Sequence, residues 1–310
     1  LVDVSQVDTA IELLGQRYPS PIILAPVGDQ QKLHADGELA TARAAAASGN
    51  LMIAAMLSTY SLAEISQEGP ATWLQIYPSV NRDFMQAMLA AAAASGATAI
   101  VLTIDSATRG NHEAARWFTK RRDPSAPRAR ARLGNLEGYN GQKTIGDPAF
   151  DWEDVAWLRD QTDLPVVLKV IVTREDARLC RRAGIDAVVV SNHGGRQEGN
   201  GRATLAVLPE IADELSGRAA IILDGGIRRG SDVFKALALG ADAVGMSTVP
   251  ETILARYHEM KVAALSIITN YGAGMEDVRL SHEQTLEYAP KAAAKVQILI
   301  SGFLDHLYGE

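Results

Sequence analysis

Eight short apolar runs, most of them followed by a longer amphipathic stretch, restrict what this chain can fold into more than any other feature. They occupy residues 21–25, 51–55, 73–77, 99–105, 165–171, 187–193, 219–224 and 242–246. Val, Ile and Leu dominate them, as in strands of a parallel sheet that is buried on both faces. Helical patterns follow most of the runs, for example at 37–47, 82–95, 174–183 and 231–239. Eight strand–helix units in 310 residues suit a closed (β/α)8 TIM barrel, which needs about 250 residues. The expectation is one barrel domain over residues 1–310.

The polar residues of these runs gather at their C-terminal ends: Gln75 and Tyr77, Thr103 and Asp105, Lys169, His193 and Asp224. In such a barrel the C-terminal rim carries the active site, so a single fold places all of them around one mouth. The fourth connection, 106–163, is far longer than the usual run of about two to six residues and is rich in Arg, Gly and Pro. It reads either as a lid over the mouth or as a disordered insertion.

Composition narrows the class of partner. The net charge is −7 and no block of like charge stands out, so nucleic acid is not expected. No apolar run approaches the roughly 18 residues that span a bilayer. Cys180 is the single cysteine, set in a helical pattern, and reads as a packing residue rather than a nucleophile. Without a disulfide framework the expected compartment is reducing, that is, cytoplasmic. The first residue is Leu rather than Met, which leaves room for a preceding segment. No metal site is read.

Two motifs carry chemistry. Val190-Ser-Asn-His-Gly-Gly-Arg-Gln197 ends a strand and sets an imidazole and a guanidinium three residues apart beside two glycines. His193 is placed to take a proton as general base, and Arg196 to hold a carboxylate bidentately. Leu223-Asp-Gly-Gly-Ile-Arg-Arg-Gly-Ser-Asp232 puts glycines where a strand gives way to a helix. Backbone N–H groups there can cradle a phosphate, although a tight turn with Arg228 and Arg229 in solvent explains the same residues. Lys169, ending an apolar strand, requires an anionic or electron-rich partner in the mouth.

Together with Trp73-Leu-Gln-Ile-Tyr77 and Leu102-Thr-Ile-Asp105, these motifs resemble the FMN-dependent 2-hydroxy acid oxidases and dehydrogenases over about residues 3–244. Pro21-Ile-Ile-Leu-Ala-Pro26 and His34-Ala-Asp-Gly-Glu-Leu-Ala-Thr-Ala-Arg43 precede them in the expected order. The resemblance implies FMN as cofactor and a small 2-hydroxy acid as substrate, oxidised to the 2-oxo acid. It implies His193 as base with Asp105 orienting it, and Arg196 and Tyr77 on the substrate. Gln75, Thr103, Lys169 and Ser191 would face the flavin, while Asp224, Gly225, Gly226 and Arg228 would hold its ribityl phosphate end. The electron acceptor is oxygen or another oxidant, and a homo-oligomer is expected.

Several positions depart from that pattern. Where the family places a second carboxylate-binding arginine stands His112, with Arg109 close by, and where it places a hydroxyl near the flavin stand Ala54, Ala55 and Met56, with Ser58 further on. Thr248 stands where a phosphate-binding Arg is expected. From about 240 to 307 the chain is similar to trimeric purine nucleoside phosphorylases, in Gly245-Met-Ser-Thr-Val-Pro-Glu251, Leu265-Ser-Ile-Ile-Thr-Asn270 and Leu280-Ser-His-Glu283. The segment 245–310 is therefore expected to be an irregular C-terminal extension, and the chain reads as a chimera. Three functions follow, in this order: a flavin oxidoreductase, a purine nucleoside phosphorylase, for which half the site is absent, and a chimeric barrel that binds flavin or nothing without turnover, a serious rival to the first.

Overall fold

The structure is a computed structural model and describes residues 6–69, 72–107, 132–195, 197 and 201–246. All of these lie in the unit Leu1–His258. A short antiparallel hairpin, β1 (Ile11–Leu13) and β2 (Gln16–Tyr18), comes first. Its turn, Leu14-Gly15, has positive φ at both residues, the twist that matches two antiparallel strands. The sequence reading did not anticipate this hairpin, because three-residue strands carry too little alternation to register.

Eight parallel strands follow and close on themselves. They are β3 (Ile22–Leu24), β4 (Leu51–Ala55), β5 (Thr72–Ile76), β6 (Ala99–Thr103), β7 (Val166–Lys169), β8 (Ala187–Val190), β9 (Ala220–Asp224) and β10 (Ala243–Met246). Closure comes from β10 pairing with β3, Val244 opposite Ile22. Helices α1 (Gly37–Ser48), α2 (Leu62–Glu68), α3 (Arg82–Ala94), α4 (Trp152–Asp160), α5 (Arg174–Ala183), α6 (Thr204–Leu215) and α7 (Gly230–Ala238) alternate with the strands. The expected (β/α)8 barrel is the fold. Most strands stop one to three residues short of the apolar runs, because the last residues of those runs leave the sheet to form the rim.

Local chemistry starts and stops the helices. Ser61 and Glu64 form a reciprocal capping box at α2, as do Asp151 and Asp154 at α4. Gly49 and Gly184 end α1 and α5 in the left-handed conformation that glycine adopts without strain. In the long connection, 132–163 is folded: a 3-10 turn at Gly134–Leu136 precedes α4. Residues 108–131 lie outside the described residues. No helix among those described is long and apolar enough to cross a membrane.

Two cores result from the two faces of each strand. Outward residues such as Leu24, Met52, Leu74, Ile100, Leu168, Val188 and Leu223 pack with the helices. Inward residues fill the barrel: Ile23, Leu51, Ile53, Trp73, Val101, Val167, Val189, Ile222 and Ala243, together with Leu13 and Tyr18 of the hairpin. The hairpin thus packs into the barrel interior, and Leu13 is only 1% exposed. Cys180 is buried, which pushes its thiol up to about 12 and leaves it a packing residue.

Candidate active site

Strand periodicity defines the floor of the mouth. Side chains alternate faces, so moving two residues on from the inward apolar positions reaches the next inward layer. That layer is Ala25, Ala55, Gln75, Thr103, Lys169, Ser191, Asp224 and Gly245. Below it every inward residue is apolar; within it five consecutive strands, β5 to β9, contribute polar groups. The three remaining strands contribute only Ala25, Ala55 and Gly245, leaving a shallow side to the mouth. A Cβ built at Gly245 would lie 3.2 Å from the Asp224 Cβ and 3.7 Å from the Ala25 Cβ.

The polar arc is cross-linked. Lys169 Nζ donates to Ser191 Oγ at 2.7 Å and to Asp224 Oδ2 at 2.5 Å, with side-chain exposures of 7% for Lys169 and 13% for Asp224. A charge this shielded persists because it is paired and hydrogen-bonded. Gln75 Nε2 donates to Thr103 Oγ1 at 2.9 Å and to the Ile76 carbonyl at 3.0 Å, while the Met56 N–H donates to Gln75 Oε1 at 3.4 Å. Thr103 therefore keeps its own hydroxyl proton for a partner in the mouth.

Above this floor His193 Nδ1 lies 2.7 Å from Asp105 Oδ2, with side-chain exposures of 25% and 6%. The loop geometry is specific. His193, Gly194 and Gly195 all have positive φ, at 54°, 68° and 70°, so only His193 bears the strain of a side chain in that region. The His193 N–H donates to Ser191 Oγ at 3.1 Å and the Gly195 N–H to the Asn192 carbonyl. Ser191 thus joins the His193 turn to Lys169. Tyr77, half-buried at the end of β5, stands on the same rim.

The glycine turn after β9 also takes left-handed values, 91° at Gly225 and 80° at Gly226, with open space where a Gly226 side chain would be. It leads from Asp224 to the exposed Arg228 and to the start of α7. The backbone N–H groups of Arg228 and Arg229 both donate to Asp232 Oδ2 at 3.1 Å. Those two donors are therefore occupied by a residue of the chain itself. Arg196, His112, Arg109 and Thr248 lie outside the described residues.

Sequence reasoning missed Asn135. It arrives from the long connection, 80 residues away from strand β4, and binds the end of that strand through its carboxamide. No local pattern announces such a contact. The hydroxyl expected near the mouth is not supplied by Ser58, which is fully buried and bonds to the Tyr60 carbonyl and to Asn135.

Fold and site together define a (β/α)8-barrel enzyme with its chemistry at the C-terminal mouth. Comparison narrows this. Residues 1–270 match the family model of the FMN-dependent dehydrogenases. A peroxisomal (S)-2-hydroxyacid oxidase of Arabidopsis thaliana is 41% identical over 259 residues, 79% of this chain and 69% of the relative. An L-lactate oxidase of Lysinibacillus sphaericus is 36% identical over 93% of this chain and 82% of its own length. A mandelate oxidase solved with benzoyl-formic acid superposes with a TM-score of 0.72 at 37% identity, covering 79% of this chain and 70% of that one. The chain belongs to the FMN-dependent dehydrogenase family.

Proposed function

We propose that this chain is an FMN-dependent oxidoreductase that converts a small L-2-hydroxy acid to the 2-oxo acid, with His193 as the base. The observation that carries the reading is the Asp105–His193 pair, 2.7 Å apart beside the buried Lys169 cluster. Asp105 on Nδ1 favours the tautomer with its proton there, which leaves Nε2 to accept one from the substrate. The buried carboxylate then stabilises the imidazolium that forms. FMN, when bound, takes the two electrons as a hydride equivalent.

The residues present fit that cofactor. The flavin ring requires hydrogen-bonding groups and a cation in a shielded floor, supplied by Gln75, Thr103, Ser191 and Lys169, and room beside them, supplied by Ala25, Ala55 and Gly245. Lys169 is positioned to favour negative charge on a reduced ring. Gly225, Gly226 and Arg228 would take the phosphate end. Tyr77 and Arg196 would hold the substrate carboxylate side, with His112 assisting when protonated. Oxygen is the acceptor favoured by the oxidases among the relatives.

The family match to residue 270 and the lactate oxidase relative, aligned over 93% of the chain, support one family throughout. The similarity of 240–307 to purine nucleoside phosphorylases, and the chimera it suggests, are tested by an inosine-plus-phosphate assay. A homo-oligomer and a cytoplasmic location are proposed on the sequence reading alone; the peroxisomal name of the Arabidopsis relative makes cell fractionation the deciding measurement.

The direct test is a visible absorbance spectrum of the purified protein with FMN, before and after anaerobic L-lactate, glycolate or mandelate. Bound flavin bleached by one of them is expected. Failure to bind flavin, or bound flavin untouched by all three acids, overturns the proposal.

A further inference from the structure

The long connection returns to the barrel through a short segment whose contacts reach the floor of the mouth. The Asn135 carboxamide has four partners: Oδ1 accepts from the Leu62 N–H at 2.6 Å, and the two protons on Nδ2 are shared among the Ala55 carbonyl at 3.1 Å, the Met56 carbonyl at 3.3 Å and Ser58 Oγ at 2.9 Å. One partner is a donor and three are oxygens, which sets the orientation of the amide. The preceding residue has to be glycine. A Cβ at Gly134 would meet the Ser61 nitrogen at 2.2 Å, while the Gly134 N–H bonds to the Thr59 carbonyl at 3.0 Å.

The Ala55 carbonyl and the Met56 N–H belong to one peptide plane. Asn135 holds its oxygen end and Gln75 Oε1 accepts from its nitrogen end. Gln75 in turn donates to Thr103 Oγ1. A continuous chain of hydrogen bonds therefore runs from Asn135 through one peptide unit of β4 to the Gln75–Thr103 edge of the floor. Donation into the carbonyl strengthens the N–H as a donor, so the two ends of the peptide reinforce each other.

We infer that Asn135 is a positioning residue for the flavin edge of the active site, acting through the Ala55–Met56 peptide on Gln75 and Thr103. The inference rests on the proposed FMN function. It assigns the distal part of the long connection a task in shaping the cofactor pocket, separate from any covering of the mouth. Arg132, in the same segment, provides the contrast. It bridges Glu64 and Glu137 at 2.9 and 2.8 Å and has no bond to the Ala55–Met56 peptide, so it fastens the segment without addressing the floor.

The test compares Asn135→Asp, Asn135→Ala and Arg132→Ala with the parent. Asn135→Asp keeps the shape and replaces the donor with a carboxylate facing carbonyl oxygens. Three measurements apply: FMN affinity by flavin fluorescence, the spectrum of the bound flavin, and exchange of the Met56 amide hydrogen in flavin-free protein. Both Asn135 variants are expected to weaken FMN binding roughly three- to tenfold, the loss of one or two hydrogen bonds. They should also shift the flavin bands and speed Met56 exchange. Arg132→Ala should melt earlier but stay within about twofold of the parent in FMN affinity. Asn135 variants that match Arg132→Ala in all three readouts overturn the inference. A parent that binds no FMN overturns the functional reading instead, and Met56 exchange then still decides whether Asn135 holds that peptide.

Discussion

The two ends of the barrel interior are built by the same eight strands on the same alternation, yet they do opposite things. At the N-terminal end the inward residues are Ile23, Leu51, Trp73, Ala99, Val167 and their neighbours, packed with Leu13 and Tyr18 of the hairpin. The Tyr18 hydroxyl is buried there without a partner, and burial raises its pKa. At the C-terminal end the next inward layer is Gln75, Thr103, Lys169, Ser191 and Asp224, and every one of these has a hydrogen-bond partner. A barrel separates stability from chemistry by position along the strand, with one change of residue type between adjacent inward layers.

Substitutions at either end test this division of labour. The largest effect is expected at the top: His193→Ala should slow flavin reduction by about 10²–10⁴-fold while FMN stays bound, as stopped-flow reduction and a flavin titration would report. Normal reduction in that variant removes His193 from the mechanism. Lys169→Met leaves the Asp224 carboxylate unpaired in a shielded site, which should cost about 3–5 kcal/mol. Adding Asp224→Asn should recover much of that loss in urea unfolding, because the stranded charge is gone; FMN binding should not return.

At the closed end Leu13→Ala should destabilise the fold by about 2–5 kcal/mol and leave the substrate KM unchanged. A changed KM would mean that the two ends are mechanically coupled. The smallest effect belongs to the rim clamp. Arg132 hydrogen-bonds Glu64 and holds its carboxyl down to about 2, from an ordinary 4.5. A depressed carboxylate stabilises the fold above the ordinary value and loses that contribution as the pH falls toward 2. Glu64→Gln should therefore flatten the acid limb of the stability curve between those values. The side chains are 37% and 38% exposed, so the change should be small and shrink with salt.

Particular residues show how much was legible beforehand. His193 could be singled out because two glycines follow it at the end of an apolar run, and the structure uses both glycines to turn the chain left-handed. Lys169 was legible as a lone charge on an apolar strand, but its partners were not: Ser191 and Asp224 lie 22 and 55 residues further on. Asp105 and His193 are 88 residues apart, and only the resemblance to a known family paired them. Val170 is a β-branched residue with φ of 79°, held where the Val170 and Ile171 N–H groups both donate to the Val189 carbonyl. Such a conformation costs roughly 1–3 kcal/mol and is imposed by its surroundings.

By itself, then, the sequence determined the eight strands, the barrel and the ring of polar strand ends, because alternation and helical period are local properties that any stretch of chain reports. Closure of the barrel was needed to pack the hairpin into it, to bring Asn135 to the end of β4 and to join Lys169 to Ser191 and Asp224. Those contacts join residues far apart in the chain, and their geometry exists only once the strands have closed.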